Sequence, residues 1–265
     1  MALIDQHSSL LPEPVTGPSV WYGSQMQDST EWVLKLSADD VAEVAAAVAP
    51  LVAGGVDIAA LSAAQFPLPR LAARLVGLRE DLINGRGFAL VRGLPVQDWS
   101  MRESATAFFG IGLHLGNPRS QNGKGHLLGH VCDLGRDAEN DPTARIYQTR
   151  ERQTFHTDSC ESMQTDRRGE VPVGENPWHD IPVYSWYAGQ LSALYARRYI
   201  ESARRFDEVP ALTPLQTEAL DLFDELANDP QIGMQMTFEP GDMQWVHNHT
   251  MLHDRTAFED WPDLA

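Results

Sequence analysis

Only two cysteines, Cys132 and Cys160, occur in the 265 residues. They are too few for a disulfide framework and lack the C-x-x-C spacing of zinc or redox motifs. Cys160 follows Asp158 by two residues and reads as a small packing residue. Basic residues are also scarce: 20 Lys and Arg stand against 37 Asp and Glu, a formal net charge of -17. Such a chain repels a phosphate backbone and offers no basic stripe for counterion release, so nucleic acid is not an expected partner. No apolar run is long enough to cross a bilayer, and the opening MALIDQHSSLLPEPVTGPS has neither a basic n-region nor a continuous apolar h-region. The expectation is a cytoplasmic protein with no membrane partner. Hydrophobic residues make up 43% and charged residues 22%, a globular composition, and the length suits one large domain.

Residues 1–30, rich in Pro, Ser and Gln without periodicity, predict an extended arm, and residues 31–265 a single domain. Ser37-Ala-Asp-Asp40 carries an N-cap and an acidic N3, and Val41, Val44, Ala45, Val48 and Leu51 continue at helical spacing until Gly54-Gly55. A second helix is predicted over Leu71 to Ile83. The apolar RGFALVRGLPV (Arg86 to Val96) reads as a buried strand, and MRESATAFFGIGLHLG as a third helix. A glycine-rich region of short β-prone runs and turns follows. Val183 to Tyr195 has the form of a hairpin turning at Ala188-Gly189, and Arg167-Arg168 belongs to a turn, not an anion site. Thr213-Pro-Leu-Gln216 opens a capped helix whose Leu215, Ala219, Leu222, Phe223 and Leu226 form one apolar face, ending at Asn228-Asp-Pro230. Strand resumes in GMQMTFEPGDMQWVHNHTMLHDR, with a turn at Pro240-Gly241. Helices outside many short strands predict an α+β domain built on a β-sandwich or jelly roll.

The stretch QTFHTDSCE (Gln153 to Glu161) carries the chemistry. Side chains at i and i+2 of a strand share a face, so His156 and Asp158 can offer an imidazole nitrogen and a carboxylate oxygen to one metal. A third ligand must come from elsewhere, and His247, His249 and His253 cluster in WVHNHTMLHDR. Two histidines and one carboxylate on one octahedral face form the facial triad of non-heme Fe(II) oxygenases. An H-x-D dipeptide alone arises by chance in many proteins.

The blocks RGFALVRGLPV, TFHTDS and EPGDMQWVHNHTMLHDR, in this order and with IPVYSWYAGQLSALYARRYI between the last two, resemble the TauD/TfdA family of Fe(II)- and 2-oxoglutarate-dependent dioxygenases, over most of residues 30–265. The resemblance implies a double-stranded β-helix (jelly roll) core with flanking helices. It implies Fe(II), with 2-oxoglutarate as cosubstrate and dioxygen, and hydroxylation or desaturation of a small-molecule metabolite or natural-product intermediate. The family's distal histidine lies five residues after an Asn; counted from Asn248 that is His253, so the implied iron ligands are His156, Asp158 and His253. The retained carboxylate of Asp158 favours these outcomes over halogenation.

The resemblance also implies a lid segment after about residue 162 and a final strand bearing an Arg for the 2-oxoglutarate carboxylate. This sequence runs almost directly from Asp158 into MQTDRRGEVPVGENPWHD, and the Arg is expected beyond Ala265. Polar candidates for holding substrate are Asn117, Gln121, Gln148 and Arg198, whereas His114, His126 and His130 read as ordinary satisfied polar groups. The alternative readings are a non-redox metal hydrolase and a non-catalytic metal-binding protein on the same scaffold.

Overall fold

The computed structural model describes residues 14–260 except 123, 142, 158–163, 181, 188 and 189. The elements run α1 (Gly23–Gln27), β1 (Val33–Lys35), α2 (Ala38–Ala53), α3 (Leu71–Asn84), β2 (Phe88–Arg92), α4 (Met101–Leu115), β3 (Gln153–His156), β4 (Gln164–Asp166) and β5 (Trp178–Asp180). After these come β6 (Tyr184–Tyr187), β7 (Gln190–Ala193), α5 (Arg197–Ser202), α6 (Pro214–Ala227), β8 (Met243–Val246) and β9 (His253–Arg255). Among the described residues no helix is long and apolar enough to cross a membrane.

Helices α2 and α6 begin where the sequence places their caps, and α4 is capped in the same way. Ser37, Ser100 and Thr213 each accept from the N3 backbone N–H, and Asp40, Glu103 and Gln216 reach back to the N-cap. The apolar faces of α2, α3 and α4 converge on one core: Val44, Phe66, Leu71, Leu75, Ala107 and Ile111 are all completely buried. The core covers one face of a sheet in the order β1-β2-β8, parallel between β1 and β2 and antiparallel between β2 and β8. Arg92 on β2 donates through Nε and Nη2 to Asp242 at 2.9 and 2.7 Å, fixing the turn that feeds β8. In that turn Gly241 has φ +87°, and a Cβ there would lie 2.0 Å from the Leu94 carbonyl oxygen, so only glycine fits.

The other described strands form three two-stranded antiparallel ribbons, β3-β9, β4-β5 and β6-β7. The domain is thus α+β, with helices packed on one small sheet and ribbons beyond it. The predicted hairpin is the β6-β7 ribbon, paired from Tyr184↔Ala193 to Tyr187↔Gln190, and its turn residues Ala188 and Gly189 lie outside the described residues. Arg168 occupies the expected turn, but with its guanidinium buried: it donates to the carbonyls of Ala138, Asp141 and Ala144 and so ties that loop to the β4-β5 ribbon.

Three expectations are corrected. The chain from Gly233 to Glu239 is irregular, and strand starts only at Met243, because an extended segment without a paired neighbour forms no ladder. The glycine-rich stretch 116–135 carries no strand among its described residues. On α6 the buried face is Leu220 with Phe223 packed behind it, against Tyr195 and Ile200, whereas Leu215, Leu222 and Leu226 are exposed by 74, 54 and 46%. The helix carries two apolar stripes, and the ribbon end around Tyr195 selects the narrower one. The start of the chain also departs from a plain extended arm. Its residues 23–27 are helical, the Trp21 indole donates to the Arg86 carbonyl at 3.0 Å, and Gly23 N–H donates to Ile232 O at 3.0 Å.

Candidate metal centre

The β3-β9 ribbon builds the site. In its register Gln153 stands opposite Arg255 and His156 opposite His253. Three steps on β3 therefore match two on β9, and the extra residue is a β-bulge, which re-aims the side chains around it. The His156 and His253 rings meet with centroids 4.3 Å apart at 49°. His156 is 8% exposed, and both imidazoles line a cavity of about 3290 Å³.

The orientation of His156 follows from its neighbours. Its Nδ1 lies 2.9 Å from the Thr154 carbonyl oxygen, an acceptor only, so Nδ1 carries the proton and Nε2 presents its lone pair. The Gln153 side-chain amide donates to that Nε2 at 2.6 Å. Just beyond β3, Thr157 N–H donates to Tyr195 O at 2.8 Å and Tyr195 N–H donates to Thr157 Oγ1 at 2.9 Å, anchoring the segment that leads to Asp158. Tyr195 is completely buried, and its phenol donates to Asp224. Burial first, and then the Asp224 carboxylate, push its pKa above the usual tyrosine range.

Asp158 and Cys160 lie outside the described residues. Among the described residues no group of three His, Cys, Asp or Glu is placed to hold a metal. The ribbon brings together two imidazoles, as many as a two-histidine, one-carboxylate donor set uses. His247 lines the same cavity but lies outside the ribbon: its backbone N–H donates to Gly87 O at 2.6 Å, and its Nδ1 pairs with Thr250 Oγ1 at 2.8 Å. Burial, and then the nearby His249, lower its pKa and favour the neutral ring. His249 meets His247 edge-on at 6.1 Å.

Asn117, Gln121 and Gln148 line the cavity, and Arg198 does not. Gln121 donates its side-chain amide to Arg119 O at 2.9 Å, holding its own turn. Gln148 Oε1 accepts from Arg145 N–H and Arg136 Nη1 at 3.1 and 3.0 Å. Arg198 is paired with Glu151 at 3.1 Å. His114 Nε2 bonds the Phe66 carbonyl at 2.8 Å and His126 Nδ1 bonds Asn122 at 3.1 Å, and both His126 and His130 line the cavity.

Two further residues of the ribbon face the cavity, Gln153 and Arg255. Arg255, two residues beyond His253, was within reach of strand alternation. Gln153, three residues before His156, was not, since an odd separation on a regular strand points to the opposite face.

The family model described as taurine catabolism dioxygenase TauD, TfdA family, matches residues 48–165 and 162–263. "FR-33289 synthase" of Streptomyces rubellomurinus is 30% identical, with 96% of this chain and 87% of that protein covered. Their alignment spans 298 positions, more than the 265 residues of this chain, so the relative has internal residues without a counterpart here. Asparagine oxygenase is similar in structure with a TM-score of 0.54 at 16% identity, over 88% of this chain and 89% of that one. The non-heme iron oxygenase OrfP, solved with Fe and alpha-ketoglutaric acid, gives a TM-score of 0.56 at 15% identity, over 86% and 88%. By its sequence blocks, the extent of the family match and the paired histidines of its ribbon, the chain belongs to the TauD/TfdA family of Fe(II)- and 2-oxoglutarate-dependent dioxygenases.

Proposed function

We propose that His156, Asp158 and His253 hold Fe(II) and that the protein hydroxylates or desaturates an unactivated C–H bond of a small metabolite or natural-product intermediate. One observation carries the assignment: residues 97 positions apart, His156 and His253, stand directly opposite on one ribbon with their rings 4.3 Å apart on a cavity wall. On this reading the ribbons are parts of a double-stranded β-helix, residues 31–265 are a single catalytic domain, and residues 1–30 are its arm.

The donors suit the metal. Thr154 O fixes the His156 tautomer so that a neutral nitrogen faces the cavity, the form a divalent cation requires. Asp158, two residues on, supplies the carboxylate of the facial triad. Iron(II) bound there supplies dioxygen activation coupled to decarboxylation of 2-oxoglutarate. The protein contributes position and enclosure. The β3-β9 ladder sets the separation of the two imidazoles, and the Thr157–Tyr195 pair of hydrogen bonds holds the start of the Asp158 segment. The cavity, several times the roughly 300–1,000 Å³ of a single ligand pocket, has room for an organic cosubstrate and a substrate together. Its wall includes Phe108 stacked on Trp245 at 5.5 Å, an apolar surface from which water is readily displaced.

The test is an anaerobic titration of the purified protein with Fe(II) and then 2-oxoglutarate, followed through the weak visible charge-transfer absorption. Wild type develops the band with one iron per chain; His156→Ala, Asp158→Ala and His253→Ala do not bind iron stoichiometrically. Full iron binding by His253→Ala together with its loss in His247→Ala would overturn the assignment.

A further inference from the structure

We infer that Arg119, Lys124 and His126, on the loop between α4 and β3, form a subsite for an anionic group of the substrate, and that this group is a doubly charged phosphoryl group. The inference rests on the dioxygenase reading and names a substrate class for it. Charge is the first observation. Over the whole chain acids outnumber bases 37 to 20, yet among the described residues nine Lys and Arg and only three Asp and Glu line the cavity. The reversal is sharpest around this loop: residues 104–132 contain no Asp or Glu, in a chain where about one residue in seven is acidic. A concave wall of one sign focuses its field inward and draws in anions. Most cations of the wall are already matched. Arg92 pairs with Asp242, Arg136 with Asp141, Arg145 with Glu170 and Arg152 with Asp254, while Arg168 is turned onto buried carbonyls. Arg119 and Lys124 line the cavity, and no carboxylate among the described residues pairs with either.

The loop holds these groups in a defined arrangement. Ser120 Oγ donates to Asn122 O at 2.7 Å, Gln121 N–H donates to His126 O at 2.7 Å, and Asn122 Oδ1 accepts from the backbone N–H of Lys124 and of His126 at 3.0 and 3.3 Å. Such Asn-to-backbone bonds fix a turn from within. They also decide an imidazole. With Oδ1 engaged by two donors, Asn122 turns its Nδ2 to His126 Nδ1 at 3.1 Å; that ring nitrogen accepts, so Nε2 carries the proton of the neutral ring. The far end of the loop is fastened as well: Leu127 packs on the helical core, Cys132 N–H donates to Tyr147 O at 3.1 Å, and Leu134 N–H donates to Gln148 O at 2.9 Å. A guanidinium, an ammonium and an imidazole N–H are thus offered from one loop. Two uncompensated cations match a dianion. A phosphoryl group carries about −1.5 to −2 charges near neutral pH and three acceptor oxygens, whereas a carboxylate or sulfonate carries a single charge. Lysine binds such a group as a point charge and arginine as a fork.

The experiment is calorimetry at fixed ionic strength and slightly alkaline pH, on metal-free protein and on protein loaded anaerobically with Fe(II) and 2-oxoglutarate. The four probes share a propyl chain: propyl phosphate, propylphosphonate, propane-1-sulfonate and butanoate. Wild type is expected to bind the two phosphoryl probes about 10-fold or more tightly than the other two, the worth of one additional charged hydrogen bond. Lys124→Gln and Arg119→Gln each lower that binding about 10-fold, Lys124→Arg keeps most of it, and His126→Leu costs a smaller factor. Lys35→Gln removes the chain's other lysine, on β1, and leaves binding unchanged; an equal loss there would be a general charge effect and would overturn the subsite. Butanoate or sulfonate binding as tight as phosphoryl binding refutes the substrate class. If Lys124→Gln weakens 2-oxoglutarate as much as the phosphoryl probes, the loop serves the cosubstrate and the inference fails. The charge-transfer band reports the dioxygenase reading separately. Phosphoryl binding that is lost in the variants, with no band in wild type, keeps the subsite and refutes the dioxygenase; a normal band with phosphoryl binding untouched by the variants does the reverse. With the subsite upheld, the tighter of the two phosphoryl probes tells a phosphate ester from a phosphonate.

Discussion

Gly110 lies in the middle of α4, where a glycine ordinarily weakens a helix, and Gly110→Ala tests why it is there. On propensity alone the change should stabilise the helix by about 1 kcal/mol. Packing opposes it. A Cβ at Gly110 would lie 2.4 Å from Phe66 Cδ2 and 2.5 Å from both Cε2 and Cγ, far inside van der Waals contact. The ring is completely buried and cannot swing away. Its backbone is also held, with Phe66 N–H donating to Ala63 O at 3.1 Å and the Phe66 carbonyl bonded by His114 at 2.8 Å. Overpacking of a filled core costs about 1–3 kcal/mol, and three simultaneous ring contacts put this site at the upper end. The net expectation is a loss of about 2 kcal/mol, or a melting temperature lower by about 4–8 °C. Urea and thermal unfolding of wild type, Gly110→Ala, Phe66→Leu and the double variant measure it. In the Phe66→Leu background the smaller side chain should relieve the contact, giving a coupling above about 1 kcal/mol. A Gly110→Ala protein as stable as wild type would refute the close approach of α4 to Phe66.

Two further outcomes follow from the helices. Burial raises the Asp40 carboxyl, but hydrogen bonds from Ser37 and Arg74 outweigh it and leave the pKa below its ordinary 3.8. A lowered folded-state pKa gives stability that is present above pH 3.8 and lost as the pH falls through the folded value, so the stability gap between wild type and Asp40→Asn should be constant near neutrality and close below about pH 4. On α6, Leu220→Ala should cost about 2–5 kcal/mol and Leu222→Gln within about 0.5 kcal/mol in denaturant unfolding; equal costs would show that the exposed stripe is covered.

The sequence by itself determined the local features. Ser37, Thr213 and Pro214 marked helix starts because capping is settled within four residues, and Pro240-Gly241 marked a turn because its backbone demands are those of two residues. Family motifs added His156 and His253, whose opposition on β3 and β9 the structure then displays. The rest depended on partners distant in the chain. Two apolar stripes on α6 look alike until Tyr195 and Ile200 cover one of them. The extended character of residues 233–239 is realised as strand only where a neighbour supplies a ladder, from Met243 onward. Gln153 joins the histidines through a bulge, a mismatch between two strands that neither strand encodes alone. Capping and turn chemistry act over a few bonds and are legible in order along the chain; burial, pairing and register are relations between segments, and only the tertiary structure decides them.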